Sequence, residues 1–118
     1  MVSCPRRPRR GQRGSATVYV LSLVVLLMAV TLGVAGFAGL ATAKHRATAA
    51  ADLAALAAAS TPGDGCSVAA GTARRNGVRL TSCRRDGSDV TVTVSLVGRG
   101  PFGLRPTITA MARAGPQR

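Results

Sequence analysis

Residues 15–43, SATVYVLSLVVLLMAVTLGVAGFAGLATA, run for 29 positions without a charge, directly behind a 14-residue leader with five arginines and no acid. About 20 apolar residues in helical form cross the hydrocarbon core of a bilayer, and a cleaved secretory signal has a shorter apolar region. The run is therefore predicted to be a transmembrane helix, residues 15–43, behind a basic cytoplasmic leader, residues 1–14. Orientation follows from the arginines. The leader has five, whereas the other flank carries Lys44 and Arg46, offset by Asp52. The side denser in positive charge stays inside. The chain is thus expected to be single-pass in the cell membrane, with its N-terminus cytoplasmic and residues 44–118 extracytoplasmic.

A net charge of +12 raises nucleic acid as a partner, but the aromatics are only Tyr19, Phe37 and Phe102, with no Trp. A base-stacking platform is not available, and nucleic acid is not expected. Seven of the sixteen basic residues sit at the two ends of the apolar run, where topology and anionic headgroups account for them. The pairs Arg74-Arg75 and Arg84-Arg85 suit acidic envelope polymer or lipid about as well as plain solubilising charge.

The helix is predicted to continue past the membrane. ATAAADLAALAAAS, residues 47–60, holds neither Gly nor Pro, and Ala and Leu are the strongest helix formers. A helix from about Ser15 to about Ala59 would rise about 67 Å. Residues 44–60 form its Ala-rich extracytoplasmic extension, and Thr61-Pro62-Gly63-Asp64-Gly65 ends it. In the span, Ala29 and Gly33 are four apart, as are Ala35 and Gly39, with Gly36 between. Such small-residue spacings favour helix packing in lipid, although the composition alone would also supply them. In the extension, Leu53 and Leu56 share one face of a field of alanines. Asp52 beside them is either a solvated residue paired at helical spacing or, with the two leucines, a partner contact.

Residues 61–118 form a module of 58 residues, small enough to need a staple, a metal or a partner. Cys66, Ala69, Ala70 and Ala73 define one face of a short helix, with Asp64 as N-cap and Gly77 as the stop. VRLTSC predicts a strand, Arg85 to Asp89 a turn, and DVTVTVSLVG a second strand with Val90, Val92, Val94 and Leu96 inward. GRGPFGLRP is a loop, and TITAMARA offers a third strand with Ile108, Ala110 and Ala112 on one face. The fold class is α+β: a long N-terminal transmembrane helix continuing outside the membrane, a short helix, and a small three-stranded antiparallel sheet. Cys66 and Cys83 both lie on the oxidising side and are expected to be joined, rather than to remain two buried thiols. Such a bridge closes a loop worth roughly 3 kcal/mol in the chain-entropy account. Cys4, in the leader, is expected to be free.

No catalytic constellation is present, and an enzyme is not expected. His45 is the single His, in a basic cluster, and the Cys and His spacings form no zinc signature. No cofactor, metal or small-molecule substrate is implied. An A-x-A site at Ala41-Thr42-Ala43 leaves an alternative: a wall-facing binding module released by signal peptidase after Ala43.

Gly14-Ser15 has the form of a prepilin-type cleavage site, a short basic leader ending in Gly before an uninterrupted apolar helix. RGSATVYV, the span and KHRATAAADLAALAAAS resemble the actinobacterial TadE-like family, small proteins similar to the minor pilins of Tad (Flp-type) pilus systems. The tail, with Cys66, Cys83, DVTVTVSLVG and ARAGP at 112–116, resembles the secretion-neighbourhood branch of that family. The resemblance implies a type IVb pilin-like subunit or assembly factor, with other pilin-like or secretion-apparatus subunits as partners. One position departs from the pattern: Tyr19 stands fifth after Gly14, where such prepilins usually carry Glu.

Overall fold

The computed structural model describes residues 3–5 and 12–116. Most of the basic leader, including Arg6, Arg7, Arg9 and Arg10, lies outside the described residues. The expected α+β layout is the one observed: α1 (Gln12–Ser60), α2 (Gly65–Arg75), and strands β1 (Arg79–Asp86), β2 (Asp89–Val97) and β3 (Thr107–Ala114). The chain divides into two compact units, Met1–Val34 and Ala35–Arg118.

The first unit contains the inner part of α1. Its large apolar side chains are all exposed, from 46% at Val24 to 76% at Tyr19. The few hydroxyls are turned back onto the helix. Ser22 Oγ donates to the Val18 carbonyl at 2.8 Å, and Thr31 Oγ1 to the Leu27 carbonyl at 2.7 Å. A polar group closed on its own backbone is what an apolar solvent tolerates.

In the second unit, the outer part of α1 and the short α2 pack on one face of an antiparallel sheet of order β1-β2-β3. Val90, Val92 and Val94 of the central strand are fully buried, and Leu96 partly so. They meet Ala50, Ala51, Ala54, Ala55 and Ala58 of α1 and Ala69 and Ala73 of α2. Methyl side chains let the sheet come close to the helix, at the cost of a thin core. Each fully buried Val contributes about 1.5–3 kcal/mol. Thr91, Thr93 and Ser95 alternate onto the opposite face of β2, where the strands on each side leave them half-buried.

The Cys66–Cys83 disulfide is present, with Cα atoms 5.8 Å apart, and it ties the first turn of α2 to β1. Cys4 is a free, exposed thiol. Asp64 caps α2 as expected, accepting from the Ser67 amide at 3.2 Å. The β1–β2 turn is tighter than the predicted Arg85 to Asp89. Asp86 pairs with Asp89, which leaves Gly87-Ser88 as a two-residue hairpin loop with Gly87 at φ 63°. Arg85 therefore belongs to β1, and Asp89 opens β2.

Two arginines close helix ends. Arg85 Nη2 donates to the Ala58 carbonyl at 2.8 Å and the Thr61 carbonyl at 3.1 Å, satisfying the C-terminus of α1. Gly65 sits at the same junction, where a side chain would strike the Ala58 carbonyl. Arg46 Nε donates to the Asn76 carbonyl at 3.3 Å, beyond the last turn of α2. A methyl on Gly77 would come within 2.7 Å of its guanidinium. In sequence, Arg46 flanks the apolar run and Arg85 opens the Arg85–Asp89 turn cluster. Their second role depends on partners 30 and 27 residues away.

Candidate assembly surfaces

The residues singled out along α1 fall into three groups. Gly14 and Ser15 lie within the helix, which begins two residues before Gly14. Tyr19 follows one turn later, 76% exposed.

The second group is the small residues. Ala29 and Ala35 are exposed, and a methyl on Gly33 would meet no atom of the described residues within 4 Å. Gly36, half-buried, and Gly39, still exposed, lie against another part of the chain itself. A methyl on Gly36 would come within 2.9 Å of the Pro101 Cβ, and one on Gly39 within 3.2 Å of the Arg99 carbonyl oxygen. The covering element is the β2–β3 connection, residues 98–106, which includes a 3₁₀ turn, Pro101–Gly103. Leu40 extends the contact to Gly98. A sequence signal for this existed. Ala29, Gly33, Gly36, Leu40, Ala43, Ala47, Ala50 and Ala54 recur at alternating spacings of four and three, a continuous seam on one helix face. The second unit's own sheet and loop take this seam from Gly36 outward. Gly33 is the first position they leave open.

The third group is Asp52, Leu53 and Leu56. All three are exposed, Leu53 at 49% and Leu56 at 60%, on the side of α1 away from the sheet. Thr48, one turn before Asp52, donates its hydroxyl to the Lys44 carbonyl at 3.0 Å. Leu56 also borders a shallow groove with Pro62, Arg85 and Pro116.

The charge is spread rather than gathered. Arg74, Arg75, Arg79, Arg84, Arg99 and Arg105 are exposed on different elements. Among the described residues the ion pair is Arg113 with Asp89, and at 65% and 32% side-chain exposure it contributes little. Also among the described residues, no three His, Cys, Asp or Glu come together as a metal site.

Among the described residues one helix is long and apolar enough to cross a membrane, and none of its most apolar window is buried. A family model described as "Putative Flp pilus-assembly TadE/G-like" matches residues 14–61. The match begins in the first turn of α1 and ends just after its last, so the disulfide-linked module lies beyond it. No curated protein and no solved structure matches the chain.

Proposed function

We propose that this chain is a membrane-anchored, pilin-like structural subunit or assembly factor of a Tad-type pilus or a related secretion apparatus. Its N-terminus is cytoplasmic and its α+β module faces outward. Other pilin-like or secretion subunits are its partners, and acidic envelope polymer or lipid can meet its dispersed arginines. It is not an enzyme. The observation that carries this reading is α1 itself. Its inner half is apolar on every side and uncovered, and its full length coincides with the TadE/G-like match. Release after Ala43 is the poorer reading, because Gly36 and Leu40 seat the 98–106 loop and would be cut away from it.

In an assembly, the open seam position Gly33, with Ala29 one turn inward, is where a neighbouring helix can approach closely. Gly33→Leu is the informative substitution. Gly39→Leu would also push on the Arg99 carbonyl and so disturb the chain's own loop. The expected result is normal membrane insertion with several-fold weaker cross-linking to co-isolated pilus or secretion subunits. Failure of the unaltered protein to co-isolate with any such subunit would remove the proposal.

A further inference from the structure

The loop 98–106 points to a second membrane contact. It is an ordered element: Gly98 N donates to the Pro106 carbonyl at 2.8 Å, Gly100 N to the Leu104 carbonyl at 2.7 Å, and Leu104 N to the Pro101 carbonyl at 3.2 Å. At its tip Phe102 is 99% exposed and holds φ at 59°, in the left-handed region that bulky residues avoid. Leu104 beside it is 62% exposed. Two unfavourable features, an aromatic ring that the described residues leave uncovered and a strained backbone, meet at one residue.

The seat of the loop says what the ring faces. Pro101 lies on Gly36 and Arg99 on Gly39, both inside the uncharged run that ends at Ala43. The part of that run left free of the loop, residues 15–35, is 21 residues, about 31 Å of helical rise, which matches a hydrocarbon core of about 30 Å. Residues 36–43 then belong to the headgroup layer, and so does the loop packed on them. Phe37, 71% exposed, stands at the same level of α1 as the loop's seat. Tyr19, the remaining aromatic, lies 18 positions earlier, about 27 Å of helical rise. Aromatic residues gather at the two interfaces of a membrane span, and these two positions have a comparable spacing along the helix.

We infer that the 98–106 loop inserts Phe102 and Leu104 into the outer interface of the bilayer that α1 crosses, with Arg99 and Arg105 at the headgroup phosphates. The inference rests on the membrane-anchored reading, and it moves the outer boundary of the span from Ala43 inward to about Gly36. The loop then serves as an interfacial anchor beside the span.

The chain has no Trp, so single substitutions supply a reporter. Full-length Phe102→Trp, Leu27→Trp and Ser88→Trp variants would be placed in phosphatidylcholine–phosphatidylglycerol vesicles. Some vesicles would carry bromine high on the acyl chains, others near the chain ends. Ser88 lies in the exposed β1–β2 turn and controls for the preference of Trp itself for interfaces. Phe102→Trp is expected to be quenched several-fold more by the shallow bromines than Ser88→Trp, and Leu27→Trp most by the deep ones. Quenching of Leu27→Trp with Phe102→Trp no more quenched than Ser88→Trp would overturn the inference and leave the anchor standing. An unquenched Leu27→Trp would remove both.

Discussion

Arg85 illustrates how one side chain joins three elements. It leaves β1 opposite Val90, on the face shared with Cys83, and reaches the Ala58 carbonyl of α1 and the Thr61 carbonyl just past it, where α2 begins. A hydrogen bond from a charged donor contributes about 1.5–3 kcal/mol when sheltered, and less when exposed. Arg85→Met retains most of the aliphatic stem and removes both bonds. It should lower the unfolding free energy of the full-length protein in detergent by about 1–2 kcal/mol, measured by denaturant titration. An unchanged midpoint would mean that water serves the α1 terminus equally well. Gly65 is fixed by the same junction, since the carbonyl that Arg85 caps occupies the space of a Cβ.

Among the elements, β1 departs most from a plain alternation. Leu80 and Cys83 are three apart, which in a regular strand would put them on opposite faces. Both nevertheless pack against the core. The register explains it: Leu80 pairs with Val94 and Ser82 with Thr93, so Thr81 is an extra residue in a bulge. Its hydroxyl donates to the Thr93 carbonyl at 3.0 Å. Deletion of Thr81 should restore a regular ladder that keeps Leu80 and Cys83 on one face. The expected outcome is that the Cys66–Cys83 bridge still forms, seen by mass spectrometry without reductant. Free thiols at both positions would show that the bulge is needed to bring β1 to α2.

At the scale of the molecule, a small alanine-lined core is offset by a covalent link and by capping arginines. The sidedness proposed for the whole chain has a direct test. An enzyme reporter active only outside the cytoplasm, fused after Arg118, should be active, whereas a cytoplasm-only reporter there should be silent. The reverse pattern would place the module inside and invert the reading of the leader arginines. It would also put the Cys66–Cys83 bridge in a reducing compartment, where such links are rare.

What the amino-acid sequence determined by itself was everything set by local pattern. The 29-residue uncharged run, the alanine continuation to Ser60, the Asp64 cap and the strict alternation of β2 each depend on neighbours within a few positions. The disulfide was legible because only two of the three cysteines share a compartment under the predicted topology. The assignments that only tertiary structure decided are those made across long separations. Gly36 and Gly39 looked like places for a neighbouring helix, and the chain's own loop, 60 or more residues later, lies against them. Arg46 and Arg85 looked like membrane and turn charges until the ends of two helices came within reach of them. Leu80 and Cys83 would be out of phase in a plain strand, and the bulge at Thr81 restores the phase. A helix or strand is written in residues close to one another, whereas a seat, a cap at a distance or a bulge depends on which surfaces the fold brings together.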